Sequence, residues 1–592
     1  MSDYVAPLDD IRFVLDHVVD LAGLADLPGY EHADPATVTE LLAESGRFFA
    51  EQFAPLNRVG DIEHSKHHAD GTVTTPTGFG AAYNRYIEAG WPAVPFPAEY
   101  GGGGFPWLVG VAMQEQMTSA NMGFSLCPLL TQGAIDLVLH YGDEQQRETY
   151  LTKMVSGQWT GTMNLTEPQA GSDVGALTTK AVPNEDGSWS ITGQKIFITY
   201  GEQDLTENIV QLVLARVPDA PPGTKGISCF IVPKFLVNDD GSLGERNSYQ
   251  CVSIEQKMGI NASPTCVMAY DGATGFLIGQ ANQGMRYMFT MMNNARLSVG
   301  LEGLAIAERS YQAAVAYAHE RKQGKAIGSH ADSAIVDHPD VRRMLLTMRA
   351  HIGALRGITY LNAHSIDIAK AHPDEATRRS AQELADLLTP ISKGWGTDVG
   401  VEMASIGIQV FGGMGYIEET GVAQHLRDIR IAPIYEGTNG IQAMDLVGRK
   451  LGLRGGGVVV DLFGQIESTA TAAEQAGDDL ATLGTALRTA LDSLRATTDW
   501  VMTNGIADPN NALAGATPYL RMFGIVTGGW MLLRAALAAA ALADGGSDFS
   551  AEFLDQRQVD ARFYITQLLP QAAGLTAAVT AGPADLFAAT FA

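Results

Sequence analysis

Three runs decide the architecture: SWSITGQKIFITY (188–200), NIVQLVLARV (208–217) and GISCFIVPKF (226–235). Each is rich in β-branched and aromatic residues, with the turn signal NEDG (184–187) before the first and PDAPPG (218–223) between the second and third. Such runs read as strands. They lie within an all-β segment from about 161 to 283, while the sequence on both sides carries apolar residues at helical three- and four-residue spacings.

Upstream, ATVTELLAESGRFFAEQFAPL (36–56) has that helical spacing, and PAEYGGGGFP (97–106) reads as a glycine-rich turn whose bland reading is a flexible connector. Downstream, four long helical stretches are expected at 284–322, 338–369, 374–403 and 418–450, the third broken by Pro390. Four consecutive helices with apolar stripes suggest a bundle. LRGGGVVVD (453–461) reads as a linker, and a further alanine- and leucine-rich helical block comes after it. The expected division is a helical extension (1–37), an N-terminal α domain (38–160), a middle β domain (161–283), a bundle (284–452) and an extra helical domain (453–592).

The chain has 592 residues and a formal net charge of −27, from 66 acids against 39 bases. That field repels nucleic-acid backbones, and no basic stripe opposes it. Four scattered cysteines, Cys127, Cys229, Cys251 and Cys266, form no metal-binding spacing. They read as core residues of a reduced protein, so no metal is expected. The N-terminus lacks the basic flank and apolar core of a secretion signal, and a cytoplasmic location is expected. MFGIVTGGWMLLRAALAAAALA (522–543) is membrane-like but carries Arg534 and three glycines, which favours a buried packing helix over a span.

Two motifs and one carboxylate turn carry chemistry. TEPQAGSDVG (166–175) combines hydroxyls, small residues and two acids. It is either a polar surface turn or a loop that meets a ligand through its backbone, Thr166 and Ser172. At the end of the first quoted run, alternation puts Phe197 and Thr199 on one face, an aromatic plane beside a hydroxyl. IYEGTNGIQ (434–442) places Glu436 before Gly437 and Thr438. Taken alone, Glu436 is an exposed acid on a glycine turn or a base.

In order, PAEYGG, LTEPQAGSD, GQKIFIT, KMGINASPT (257–265), NNARLSVG (293–300), QVFGGMGY (409–416) and IYEGT resemble the acyl-CoA dehydrogenase family across roughly residues 40–450. The GEQDLTEN insert (201–208) and the added C-terminal block are similar to its extended bacterial branch, which includes long-chain and 3-methylthiopropanoyl-CoA enzymes. The resemblance implies a mainly α fold with a middle β barrel-like domain, a C-terminal four-helix bundle and FAD in the cleft between them. It assigns Met163, Leu165, Thr166, Phe197 and Thr199 to the flavin, with Ser172 and Arg296 to the CoA ester. Arg321, Gln409, Gly412 and Gly413 are implied to reach FAD across a homodimer, and Thr438 to touch it. Glu436 is implied as the α-proton base and Gly437 as a backbone donor to the thioester oxygen.

The implied reaction converts an acyl-CoA to a trans-2-enoyl-CoA, the first step of fatty-acid β-oxidation, with electrons passing to an electron-transfer flavoprotein. An oxidase using oxygen and a nucleic-acid-binding relative are the alternatives. The chain departs from the family pattern at Phe197, usually Trp, and at Arg321-Lys322-Gln323-Gly324, which lacks a familiar Phe. Gly440 and Asn293 also differ, standing where relatives commonly carry Gln and Asp.

Overall fold

The computed structural model describes residues 4–591. Two compact units emerge, and they interleave along the chain. Among the described residues, one contains Phe48–Phe105 and Ala120–Ala295; the other contains residues 4–47, Pro106–Ser119 and residues 296–591.

The first unit holds a seven-stranded sheet. Its strands are β1 (Trp159–Asn164), β2 (Lys180–Pro183), β3 (Trp189–Thr199), β4 (Asn208–Ala215), β5 (Ser228–Pro233), β6 (Tyr249–Ile254) and β7 (Thr265–Leu277). They lie in the order β1-β4-β5-β7-β3-β2, with β6 added on β7. Only β1 and β4 run parallel; the other pairings are antiparallel. β4 and β5 are buried along their whole length, which explains their unbroken apolar runs. The core gathers Ile191, Ile198, Val213, Phe230, Val232 and Met268.

The same unit contains the helices Ala54–Glu63, Phe79–Glu88, Met122–Tyr141 and Glu144–Val155. Its glycine cluster is a turn and not a flexible connector. The N–H groups of Gly102, Gly103 and Gly104 bond the carbonyls of Pro97, Ala93 and Phe96. A Cβ on Gly102 would lie 2.0 Å from the Phe96 carbonyl oxygen, so the cluster is a close-packed turn that admits only glycine there.

In the second unit, the helices Gly284–Glu320 (from Arg296) and Pro339–Ala371 are as long as expected. The third stretch is not broken at Pro390. Helix Glu375–Pro390 passes through a π-turn, Ile391–Trp395, into helix Gly396–Phe411. The proline removes one N–H directed at the turn before it, and the helix nevertheless continues through it into the π-turn. The fourth stretch is segmented, with helices Val422–Ile429 and Asn439–Asp445 flanking an irregular turn. Pro433 and the positive φ of Glu436 and Gly437 account for the interruption.

Buried charge ties this unit together. Arg356 donates to Glu115 at 2.6 Å and to Glu308 at 3.0 Å, and the Tyr360 hydroxyl donates to Glu115 at 2.6 Å. Asp367 accepts the N–H groups of Trp107 and Leu108, which open the Trp107–Ala120 helix. The early helix Leu8–His17 packs Phe13 against Phe549 and Phe553.

The expected linker is mostly helix: after a short turn, Leu453–Gly456, helix Gly457–Gln475 begins with Val458 and Val459 buried. Helix Ala516–Gly545 contains the membrane-like run. Along with Met122–Tyr141 it is long and apolar enough to cross a membrane, but both are mostly buried inside the protein. A Cβ on its Gly524 would lie 2.3 Å from the ring of the buried Trp395, so the helix is packed directly on the π-turn.

Candidate active site

The two units carry separate groups of the residues singled out in the sequence. In the first, β1 leads from Met163, half-buried in an otherwise buried strand, into buried Leu165 and half-buried Thr166. The Thr166 carbonyl accepts the Ile196 N–H, which attaches the loop to β3. Glu167 organises the rest of the loop. Its carboxylate accepts the backbone and hydroxyl groups of both Thr178 and Thr179, and the Lys195 ammonium at 2.8 Å. Lys195 also donates to the Leu165 carbonyl at 2.9 Å. Burial alone would raise the Glu167 carboxyl, but Lys195 and these hydrogen bonds hold it well below its usual range. Ser172 lies exposed at the tip of the loop.

β3 ends in a bulge. Between Lys195 and Ile198 it spends three residue steps against two on β7, from Met268 to Cys266. Phe197 takes up the irregularity with φ +61° and remains 58% exposed, whereas Ile198 is buried and Thr199 half-buried. A left-handed conformation is costly for an aromatic residue, and here it turns a large apolar ring outward.

In the second unit, Glu436 (φ +55°) and Gly437 (φ +79°) are consecutive left-handed residues. The turn is held from several sides. Tyr435 donates its hydroxyl to Glu302, 2.7 and 2.6 Å from the two carboxylate oxygens. Lys393, fully buried in the π-turn, donates to the Gly437 carbonyl at 2.7 Å and to the Asn439 side chain at 2.9 Å. Asn439 in turn donates to the Gly394 carbonyl and to Asp398. Thr438 caps the following helix, its hydroxyl oxygen accepting the Ile441 N–H at 3.2 Å. Neither the Glu436 nor the Gly437 N–H has an acceptor among the described residues.

Burial raises the Glu436 carboxyl to about 7, with Arg296 and Lys393 opposing the rise. The value suits a base near neutral pH. Glu302 is raised to about 8, chiefly by burial. Arg296 is buried, with its Nη2 3.7 Å from where a Cβ on Gly437 would sit, so it borders the turn. Both polar side-chain atoms of the buried Gln442 lack a hydrogen-bond partner among the described residues, and its Nε2 lies beside Gly437.

Arg321, Gln409, Gly412 and Gly413 are all exposed. Arg321 donates to Gln323 at 3.2 Å, and Gly412, at φ +62°, ends the Gly396–Phe411 helix. Among the described residues, no hydrogen bond gathers these four around the Glu436 turn.

The sequence alone points to no role for Glu167, Lys195, Glu302, Lys393 or Asn439. A usable signal for Lys393 and Glu302 is an ionisable residue inside an otherwise apolar, small-residue helical run, in TPISKGWG and SVGLEGLA.

Family models match the chain in sequence: acyl-CoA dehydrogenase N-terminal domain at 38–158, middle domain at 162–273 and C-terminal domain at 282–451. A fourth, described as acetyl-CoA dehydrogenase C-terminal like, matches 462–590. The chain is 46% identical to the 3-methylmercaptopropionyl-CoA dehydrogenase of Ruegeria pomeroyi, covering 96% of each chain. It is 34% identical to the broad-specificity linear acyl-CoA dehydrogenase FadE5 of Mycobacterium tuberculosis, again covering 96% of each. Among solved structures, the fold matches Caenorhabditis elegans ACDH-11 in complex with C11-CoA with a TM-score of 0.78 and 21% identity, over 96% of this chain and 92% of that one.

Within the first unit, the exposed Phe197 ring beside the loop locked by Glu167 suits a flat aromatic group; within the second, the Glu436 and Gly437 N–H groups, without acceptors among the described residues, suit a negatively charged oxygen. With four matching domain models and relatives spanning nearly its whole length, this chain belongs to the acyl-CoA dehydrogenase family of FAD-dependent enzymes, in a branch with an extra C-terminal helical domain.

Proposed function

We propose that this enzyme removes the α-proton of a saturated acyl-CoA with Glu436 and yields the trans-2-enoyl-CoA. The observation that carries the reading is the Glu436–Gly437 turn: a carboxylate raised to about 7 beside two N–H groups without acceptors among the described residues. A thioester α-proton is too weakly acidic for a carboxylate alone. The Gly437 or Glu436 N–H would stabilise the charge that develops on the thioester oxygen as the C–H bond breaks. The clamped turn fixes the base in place, so that little motion is needed at the moment of proton transfer.

Bound FAD would supply the acceptor for the hydride that leaves Cβ. Met163, Leu165, Thr166, Phe197, Thr199 and Thr438 would hold it, with Phe197 offering its ring and Thr199 a hydroxyl. Ser172 and Arg296 would serve the CoA ester. In a homodimer, Arg321, Gln409, Gly412 and Gly413 would extend to the second flavin; their exposure supports this assignment. The extra helical domain from about 453, packed on Trp395, would cover a bundle face and limit assembly to the dimer.

For the substrate, the relative at 46% identity favours 3-methylmercaptopropionyl-CoA or a short acyl-CoA of similar length over long fatty chains. An electron-transfer flavoprotein would collect the electrons, in the cytoplasm. The test is anaerobic flavin bleaching across acyl-CoAs of rising length plus the methylthio compound. Fastest bleaching by the methylthio or butyryl ester supports the assignment; preference for chains of twelve or more carbons, on the order of tenfold, overturns it.

A further inference from the structure

We propose that Lys393 is the positioning residue of the catalytic turn: its buried ammonium fixes the Gly437 peptide and supplies the counter-charge against which Glu436 works. The inference rests on the reading of Glu436 as base and adds a residue that acts through it.

The geometry begins with Pro390. The π-turn after it, Ile391–Trp395, shifts the side-chain register of the helix, and such turns recur at functional sites. It is pressed against the Gly284–Glu320 helix. A Cβ on Gly300 would lie 2.5 Å from the Ser392 carbonyl oxygen, and one on Gly303 would lie 2.2 Å from that of Gly396. With the backbones this close, the four-carbon stem of Lys393 has no route to water, and its side chain is fully buried. It ends instead on the Gly437 carbonyl, 2.7 Å away, and on the Asn439 amide oxygen, 2.9 Å away. The Lys393 contact holds the peptide after Gly437, and with it the left-handed backbone that leaves the preceding N–H groups open to a ligand.

A buried ammonium is costly unless charge and hydrogen bonds compensate it. The charged groups facing it come from every neighbouring element. Glu436 lies on the turn, Glu302 and the opposing Arg296 on the Gly284–Glu320 helix, and Asp398 on the Gly396–Phe411 helix. Arg521, from the Ala516–Gly545 helix, pairs with Glu402 at 2.6 Å and also acts on Asp398. Two neutral hydrogen-bond acceptors are bonded directly; the carboxylates act through space. This arrangement lowers the cost of ionising Glu436 without tying its carboxylate to the ammonium by a hydrogen bond.

Lys393 therefore has two separable effects, one through its hydrogen bond and one through its charge. The experiment compares FAD-loaded wild type with K393M, K393Q and K393R. Two quantities are read: the pH dependence of anaerobic flavin reduction, and the infrared band of the protonated Glu436 carboxyl in substrate-free protein, identified by its loss in E436Q. K393M is expected to keep FAD, lose at least about thirtyfold in limiting reduction rate and move the Glu436 titration up by about one pH unit. K393Q, which can donate without charge, should show the same titration shift with a smaller rate loss; K393R should keep the titration near wild type. Should K393M fail to fold, K393Q and K393R carry the test. An unshifted carboxyl titration in K393Q or K393M overturns the proposal, as does wild-type reduction in K393M. If instead E436Q itself still reduces its flavin normally, the base assignment fails, and the infrared titration reports on Lys393 independently.

Discussion

The Lys195 ammonium lies 2.8 Å from Oε1 of Glu167, and both side chains are buried. Removing one partner of such a pair leaves a buried charge uncompensated, at a cost of about 3–5 kcal/mol. K195M should therefore destabilise the first unit and weaken FAD retention at least tenfold, because the Leu165 carbonyl and the Glu167 carboxylate, which holds Thr178 and Thr179, lose their shared cation. The double variant K195M/E167L should recover part of the stability but not the FAD affinity. Thermal unfolding and flavin release on dilution measure the two separately.

Glu302 makes stability depend on pH in a defined direction. Its carboxyl is raised from about 4.5 when unfolded to about 8 when folded, so the folded chain holds the proton more tightly. The stability it contributes is fully present below the unfolded value and is lost as pH rises toward 8. E302Q keeps a neutral partner for Tyr435 and should flatten that decline. Melting midpoints between pH 5 and 8 check it: the difference between wild type and E302Q should shift in favour of the variant with rising pH.

Catalysis should follow the opposite slope. Glu436 must be ionised to take a proton, so flavin reduction should rise through an inflection near pH 7, and it should fall again above about pH 8, to which burial lowers the Lys393 ammonium. Well below that point the rate should fall about tenfold per pH unit. Stopped-flow reduction across a pH range of about 5.5–9 measures the inflection, and a flat profile would contradict the assignment.

Gly437 combines φ +79° with a crowded flank, where an added Cβ would lie 2.7 Å from Gln442 Nε2. Gly437→Ala should cost about 1–3 kcal/mol through backbone strain and contact. It should also slow flavin reduction by more than tenfold, since the N–H groups of the turn move with it. Unfolding curves and single-turnover rates together distinguish this from a purely structural effect.

Much of the fold is legible in the sequence, for reasons that particular residues show. The apolar runs at 208–217 and 226–235 are readable because both faces of those strands are buried. The long helices from 284 and 339 are readable because their stripes run unbroken. The stretch 418–450 is not, because helical spacing continues through Pro433 and Gly437 although the backbone there does not. The left-handed bulge at Phe197 is hidden as well: alternation persists in the letters across an inserted residue. Glu436 stands out by its glycine and its ordered company, whereas Lys393 and Glu302 show only as ionisable residues within apolar, small-residue runs. Their importance comes from burial and from helix-to-helix contact at Gly300 and Gly303, neither of which is local in sequence.

The most direct measurement is anaerobic reduction of FAD-loaded Glu436→Gln by a saturated acyl-CoA that bleaches the wild type. Glutamine preserves shape and burial but cannot take a proton. The variant should remain yellow, bind the ester and lose at least about a thousandfold in the rate of bleaching. Bleaching at the wild-type rate would place the base elsewhere.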